Sequence, residues 1–408
     1  MTKSLLTTND HMTTLSVIIP AYNEENGIEE IIHRVLAIRP ALAEVGIGEL
    51  ELVVVDDCSA DRTAELAASI DGVRLIQHEH NRGYGGALKT GFGNAQGELV
   101  GFLDADGTYP PEYFPKLCAA VLDGSELAVG SRRSGAESQM PPMRRLGNFF
   151  WSNLLSTLST QRVNDPASGM RVFRRAVLDR IYPLPDGLNL TPVMSTRAVH
   201  EKIKMVEIPI PYSERVGNSK LSVVRDGSIF LHSIVWTALT YNPVRILGLV
   251  GLLGVAIAIL VAIGLVVSRF SGNTSLSPWG VAAVFTALVS GVTGISIFSL
   301  GITFNYLVSL FYKRPVRQGL FGRPIFKTPL DKHFGWMGIL TGALGLVIAL
   351  ISLGLGVQGW EISRLWLYLL VSAMFILVGA QLIIYWILLR VLGELSDREM
   401  LTQQELNI

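Results

Sequence analysis

From Leu15 to about Tyr212 short apolar runs alternate with amphipathic stretches, whereas beyond residue 241 charge gives way to four long apolar blocks. In the first half, Leu15–Pro20 predicts a strand ending in proline. Asn23–Ile38 predicts a helix with acidic residues in its first turn. Glu51–Asp57, preceded by Leu50, reads as a buried parallel strand that closes on carboxylates. Asp61 is placed to cap a helix over Arg62–Ser69. Val73–Gln77 predicts a third strand, and Tyr84–Ala95 a helix after a glycine-rich turn. Glu98–Asp106 predicts a fourth strand, again ending in carboxylates, and Leu127–Gly130 a fifth. This is a doubly wound α/β pattern, and such sheets bind ligands beyond the carboxyl ends of their strands, where the aspartates fall.

The apolar blocks are Ile246–Ser268, Phe270–Tyr312 (broken near Gly272–Pro278), Phe334–Trp360 and Leu365–Leu389. About 20 apolar residues cross a bilayer as a helix, which predicts four spans near 246–268, 281–310, 335–357 and 366–389. Pro243 is followed by Gly248 and Gly251, and Pro329 by Gly335 and Gly338, the outline of a duplicated hairpin. Ser290, Gly294 and Gly301 suit close helix packing. No span carries an acidic residue, which argues against an ion-coupled transporter. Ser222–Tyr241, just before the first span, is amphipathic and reads as an interfacial helix. The predicted plan is a tail (1–14), an α/β domain (15–221), the interfacial helix (222–241), a four-span domain (242–392) and a second tail (393–408).

Composition agrees with this mixture. Of 408 residues, 49% are hydrophobic and 17% charged, against about 25% charged in a soluble domain. That excludes a disordered chain. The net charge of zero hides an asymmetry: 23 basic and 28 acidic residues over 1–240, 11 and 6 over 241–408. No basic stripe calls for nucleic acid. Two cysteines, Cys58 and Cys118, make no disulfide framework or zinc site, and read as small core residues in a reducing cytoplasm. The first 14 residues lack the apolar core of a signal peptide, and Met12 is a second candidate start.

Asp104-Ala105-Asp106 is the sharpest chemical feature. Two carboxylates one residue apart, after a buried strand, suit a hard cation such as Mg²⁺ or Mn²⁺ that bridges to substrate phosphates. Asp56-Asp57 offers acceptors for a nucleobase or ribose, or a helix cap. The turn Asn81–Ala87 opens a helix, whose N-terminus attracts anions. His78-Glu79-His80 lacks an evident third ligand and reads as a polar strand end. Arg132 in Gly130–Arg133, the Asp165–Arg171 segment, and Arg215–Lys220 before the interfacial helix supply cations for a diphosphate or a lipid phosphate.

VIIPAYNEE (17–25), VVDDCSADRT (54–63), NRGYGGALKTG (81–91), FLDADGTYPPE (102–112), GSR (130–132), DPASGMRVFRR (165–175) and IPIPYSERVGNSKLS (208–222) together resemble family 2 glycosyltransferases. Within that family they look like the dolichol-phosphate mannosyltransferase-like branch, the polyprenyl-phosphate glycosyltransferases. The resemblance covers about half the chain. It implies a GT-A catalytic domain, a Rossmann-like, mostly parallel α/β sheet, followed by an α-helical membrane domain of four transmembrane helices. It implies that Pro20, Ala21, Tyr22, Glu24, Asp57, Gly83, Lys89, Asp104 and Ala105 bind the nucleotide sugar. Asp104 and Asp106 would hold Mg²⁺ or Mn²⁺; Asp106, Asp165 and Arg132 would be catalytic; Ser168, Arg215, Ser219 and Lys220 would contact the acceptor phosphate. Thr108 stands where some relatives place a glutamine as third metal ligand.

The implied reaction moves one sugar, with inversion, from a nucleotide-diphosphate sugar donor to a polyprenyl phosphate acceptor. The implied partners also include the lipid bilayer and, in a homo-oligomer, a second copy. A processive polysaccharide synthase is disfavoured, because the chain has no Gln-x-x-Arg-Trp motif. A lipid-linked sugar flippase is disfavoured by the charge-free spans.

Six basic residues lie between spans 2 and 3 (Lys313, Arg314, Arg317, Arg323, Lys327, Lys332), against Arg269 and Arg364 in the other loops. The positive-inside rule then puts the catalytic domain and both termini in the cytoplasm, at the inner membrane if the source is bacterial. Cysteines placed at Ser275 and Gln358 should therefore react with an impermeant reagent from outside. Outside labelling of a cysteine at Gly319 would reverse this topology.

Overall fold

The computed structural model describes residues 13–133, 142–158, 162–213, 223–272, 277–311 and 330–406. The chain divides into two compact units, Met1–Ala238 and Leu239–Ile408.

The first unit is built on strands β1 (Thr13–Ala21), β2 (Ile47–Asp56), β3 (Val73–Gln77), β4 (Leu99–Phe102), β5 (Leu127–Ser131), β6 (Arg171–Arg174) and β7 (Met205–Pro209). They form one sheet in the order β3-β2-β1-β4-β6-β5-β7. Every pairing is parallel except those of β6, which runs antiparallel to β4 and β5. The helices are α1 (Ile28–Ala37), α2 (Arg39–Glu44), α3 (Thr63–Ala68), α4 (Tyr84–Asn94), α5 (Phe114–Leu122), α6 (Pro142–Leu158), α7 (Leu178–Ile181), α8 (Leu190–His200) and α9 (Val223–Tyr241).

Alternation along the strands feeds two cores. Val17, Ile19, Leu52 and Val54 pack with α1 and α5 on one face. Ile18, Val53, Val55 and Phe102 pack with α4 and α8 on the other. A sheet covered on both faces needs apolar residues at consecutive positions, which is why its central strands read as unbroken runs.

Several local expectations change. The first helix begins at Ile28, because Asn23 (φ +51°) starts a turn that runs to Gly27. The fourth strand ends at Phe102, so Asp104 and Asp106 lie in the turn beyond it. Cys118 is buried, and burial pushes its thiol up to about 12. Cys58 is exposed in a left-handed turn (φ +64°), not a core residue.

α9 buries Phe230, Ile234 and Ala238, four residues apart, and leaves Ile229, Leu231 and Trp236 exposed. It is fastened within its unit by the Phe230 ring against Trp151 of α6, centroids 6.1 Å apart, and by Asn189 Nδ2 donating to Ser233 Oγ at 2.6 Å.

The second unit consists of α10 (Pro243–Phe270), α11 (Pro278–Phe311), α12 (Phe334–Val357) and α13 (Ile362–Leu406). All four contain a stretch long and apolar enough to cross a membrane: Pro243–Phe270, Pro278–Val308, Phe334–Val357 and Arg364–Glu394. α10 and α11 meet at Gly251 and Gly294, and α12 and α13 at Gly338 and Gly379. A Cβ on Gly379 would lie 2.7 Å from the Gly338 carbonyl oxygen, so the two backbones meet without side chains between them. α13 continues as helix through the expected C-terminal tail to Leu406.

Candidate active site

The site lies where the loops after β1, β2 and β4 meet the turn entering β6. The first two loops are stitched together. Asn23 N–H donates to Ser59 Oγ (2.9 Å), Ala60 N–H to Asn23 Oδ1 (2.8 Å) and Glu24 N–H to Thr63 Oγ1 (2.8 Å). Asp61 accepts from the Thr63 and Glu25 amides, at 3.0 and 3.2 Å, and so ties the start of α3 to the first loop, but the N-cap position is held by Arg62 and not by Asp61 as expected. Pro20 and Ala21 are buried at the strand end, Glu24 is half-buried and Tyr22 is exposed. Beside them Asp56 Oδ2 accepts from Ser59 N–H at 3.3 Å, while its Oδ1 is buried with no hydrogen-bond partner among the described residues. A buried acceptor without a donor is costly, so Asp56 Oδ1 is a ready contact for a ligand N–H or O–H.

Asp57 is committed elsewhere. Its Oδ1 meets His78 Nδ1 (2.7 Å) and accepts from Arg82 N–H (2.8 Å); its Oδ2 accepts from Gly83 N–H (2.8 Å). His78 Nε2 in turn meets Thr90 Oγ1 at 2.9 Å. Gly86 N–H donates to the Asp186 carbonyl at 3.0 Å. Lys89 Nζ donates to the Leu184 carbonyl (3.1 Å) and pairs with the Asp186 carboxylate. A Cβ on Gly85 would fall 2.2 Å from the Pro185 carbonyl oxygen. The glycines therefore let residues 184–186 lie on the turn, and Asp57, Gly83 and Lys89 hold the turn together. The Arg82, Gly83 and Gly86 amides of this turn donate to Asp57 and to the Asp186 carbonyl.

Asp104 and Asp106 follow β4. Tyr84 O–H donates to Asp104 Oδ1 at 2.8 Å. Burial, then the charge of Asp104, pushes the Tyr84 phenol well above its ordinary range, so it stays a donor. Asp106 Oδ1 accepts from Thr108 N–H (3.2 Å) and Thr108 Oγ1 (2.6 Å). Thr108 is buried and bonded to Asp106 instead of extending a third metal donor. Ala105 is buried, with its carbonyl oxygen 3.2 Å from where a Cβ on Gly27 would lie. A Cβ on Gly169 would stand 2.5 Å from Asp104 Oδ2, so only glycine leaves that carboxylate its room. Two oxygen donors with space kept beside them fit a hard divalent cation. Among the described residues no group of three or more His, Cys, Asp or Glu is placed to hold one.

Arg132 and Asp165 form a buried pair. Arg132 donates through Nε (2.8 Å) and its backbone N–H (2.9 Å) to Asp165 Oδ2, and through Nη2 (2.7 Å) to Oδ1. Asn148 Nδ2 donates to Asp165 Oδ1 at 2.9 Å, and Glu207 accepts from the Asn164 and Asp165 amides. The guanidinium carbon lies 5.8 Å from the Tyr109 ring centroid and 5.6 Å from that of Tyr212. Burial opposes ionisation of Asp165, but the Arg132 charge and these hydrogen bonds outweigh it and hold the carboxyl below its ordinary range. Tyr109 O–H accepts from Gly169 N–H at 2.7 Å, which joins this pair to the Asp104 side. Arg171, fully buried and brought down to about 10 by that burial, donates to the Ser168, Pro166 and Thr191 carbonyls.

The predicted catalytic Asp165 is thus enclosed, and Arg132 spends its fork on it. Ser168 is likewise buried and donates to the Gly130 carbonyl at 2.6 Å, which braces β5. Arg215, Ser219 and Lys220 lie outside the described residues. Sequence reasoning offered Asp56 and Asp57 together as acceptors; it is Asp56 that holds a buried oxygen without a donor among the described residues. That reasoning passed over Tyr84, Tyr109, Asn148 and Glu207, whose partners are distant in the chain; Tyr84 and Tyr109 sat inside motifs already singled out.

A mostly parallel mixed sheet with paired carboxylates at its carboxyl edge is the GT-A architecture of sugar-transferring enzymes. A model described as "Glycosyl transferase family 2" matches residues 16–182, and a domain of unknown function, DUF8752, matches residues 243–403. The chain is 32% identical over 309 residues to undecaprenyl-phosphate 4-deoxy-4-formamido-L-arabinose transferase from Pseudomonas aeruginosa, covering 73% of this chain and 86% of that one. It is 34% identical over 221 residues to dolichyl-phosphate hexose transferase from Haloferax volcanii, covering 54% and 92%. A solved structure of glucosyl-3-phosphoglycerate synthase from Mycobacterium tuberculosis, in complex with Mn²⁺, UDP and glucosyl-3-phosphoglycerate, matches with a TM-score of 0.42 at 22% identity, covering 56% and 80%. The chain belongs to glycosyltransferase family 2.

Removing one member of a buried ion pair leaves the other uncompensated, at about 3–5 kcal/mol. Asp165→Asn should destabilise the first unit by that order at neutral pH. Because the folded carboxyl lies below its unfolded value of about 4, the stability it contributes is complete above that pH and is lost as pH falls below it. Denaturation in detergent should show a gap between wild type and variant that is constant from about pH 5 to 8 and narrows below about pH 4. Equal stabilities at pH 7 would contradict the ion-pair account.

Proposed function

We propose that the chain transfers one sugar from a nucleotide-diphosphate sugar to a polyprenyl phosphate, with inversion, at the cytoplasmic surface of a membrane. The observation that carries this is the Asp104/Asp106 pair at the carboxyl edge of the sheet, in a chain that continues into four apolar helices. Two relatives whose names specify undecaprenyl-phosphate and dolichyl-phosphate transfer support the acceptor class.

Pro20, Ala21, Tyr22 and Glu24 form the donor rim, and Asp56 Oδ1 accepts from the base or ribose. Asp104 and Asp106 would hold Mg²⁺ or Mn²⁺, with the remaining positions filled by the diphosphate and water. Such an ion, when bound, supplies positive charge against the leaving diphosphate. Tyr84 and Thr108 orient the two carboxylates, and Gly169 keeps the room beside Asp104. A phosphate monoester has its second pKa near 6 and arrives largely anionic, so no strong base is needed. Asp165, enclosed and ionised, acts as a positioning group for Arg132. Arg215, Ser219 and Lys220 receive the acceptor phosphate.

Asp106→Ala should abolish transfer while the protein stays folded. Wild-type activity should vanish with chelator and return with Mg²⁺ or Mn²⁺, read as labelled sugar entering the lipid fraction. Full activity in folded Asp106→Ala protein would sink the metal assignment.

Arg215→Ala and Lys220→Ala should each raise the apparent KM for polyprenyl phosphate roughly ten- to a hundredfold, the effect of losing one charge-assisted contact, with the donor KM little changed. If the donor KM rises and the acceptor KM does not, these cations belong to the diphosphate.

A further inference from the structure

Tyr84 opens α4, and its O–H fixes Asp104 only as firmly as its own ring is held. The start of this helix is weak by sequence. Tyr84-Gly85-Gly86 follows Gly83, glycine is the poorest helix former after proline, and no side chain caps this end. The cap comes from the loop between α7 and α8, whose residues 184–186 lie across it. Gly86 N–H donates to the Asp186 carbonyl at 3.0 Å, the place a capping side chain would take. A Cβ on Gly83 would fall 2.8 Å from that carbonyl oxygen, and one on Gly85 2.2 Å from the Pro185 carbonyl oxygen. The glycines that weaken the helix are therefore what admits its cap.

We propose that this loop is a positioning strap: residues 184–189 set Asp104 for its cation by holding Tyr84, with Lys89 and Ser233 as the strap's two fastenings. The strap's role rests on reading Asp104 and Asp106 as a divalent-cation site. On the α4 side, Lys89 Nζ donates to the Leu184 carbonyl at 3.1 Å and pairs with the Asp186 carboxylate, so one side chain clasps both ends of the segment that lies on the turn. Leu184 itself is buried in the core that takes Ala87 and Leu88 of α4. On the far side, Asn189 Nδ2 donates to Ser233 Oγ of α9 at 2.6 Å. Between the two fastenings Leu190 N–H donates to the Gly187 carbonyl at 3.2 Å and closes the turn. Release of either fastening frees the first turn of α4, and with it the ring whose O–H meets Asp104 Oδ1.

The test is Mn²⁺ binding to full-length protein in detergent, without nucleotide, followed by the electron paramagnetic resonance of the free ion; the site is the one lost in Asp106→Ala. Tyr84→Phe should weaken Mn²⁺ binding roughly ten- to a hundredfold, the usual cost of losing a group that orients a metal ligand. Lys89→Met should weaken it by a comparable factor. Lys89→Arg, which can still donate to the carbonyl and pair with the carboxylate, should restore most of the affinity. Ser233→Ala should shift it the same way by less. Because the strap acts through Tyr84, adding Lys89→Met or Ser233→Ala to Tyr84→Phe should cost little more, whereas independent effects would add. If Lys89→Met fails to fold, Ser233→Ala carries the same comparison. Wild-type affinity in Lys89→Met and Ser233→Ala, or losses that add to that of Tyr84→Phe, would overturn the strap and leave the cation site standing. Wild-type protein that binds no Mn²⁺ at this site would instead overturn the cation reading, and the strap's role with it.

Discussion

A guanidinium and a carboxylate taken out of water each lose several kcal/mol of solvation, and only close pairing with further hydrogen bonds returns it. The Arg132–Asp165 pair meets that demand by recruiting much of the second half of the first unit. β5 supplies the backbone that delivers Arg132. β7 supplies Glu207, which accepts the amides of Asn164 and Asp165. α6 supplies Asn148, and Tyr109 and Tyr212 enclose the guanidinium. Arg171 at the head of β6 gathers the intervening turn by its carbonyls. The antiparallel strand in an otherwise parallel sheet thus has a chemical consequence, since it brings the 165–169 turn beside the carboxylates that follow β4.

Gly169 is where the two sides of the site touch. Its N–H is bonded to Tyr109, whose ring faces Arg132, and its missing side chain is the space beside Asp104. Placement of the carboxylate pair and of the buried ion pair are therefore not independent. Beside the glycine-rich turn, Asp57 spends both oxygens closing it, while Asp56 Oδ1 has no donor among the described residues.

How much of this was legible in the sequence follows from where each signal lies. β1, β2, β3 and β5 declared themselves through apolar runs bounded by turns, and the four membrane-length helices through the absence of charge. β6 and β7 escaped because Arg-Val-Phe-Arg and Met-Val-Glu-Ile-Pro are short and charged. α6 escaped because its inward face carries Asn148 and Ser152, which break the apolar stripe, while α8 is buried almost all round and has no stripe to find. Asp104 and Asp106 were legible because their spacing is local. The groups that satisfy Asp57, Gly83, Lys89, Arg132, Asp165 and Ser168, from His78 to Asp186, are visible only once the chain is folded.

The central claim is that this site joins one sugar to a lipid phosphate. Purified full-length protein in detergent, with no sealed membrane, is incubated with a panel of nucleotide-diphosphate sugars, a polyprenyl phosphate and Mg²⁺, and the lipid is analysed by mass spectrometry. The account predicts, for at least one donor, a polyprenyl phosphate heavier by a single sugar residue, with release of the nucleoside diphosphate. A polymeric product, or a lipid left unmodified by every donor while the protein remains folded, would contradict it.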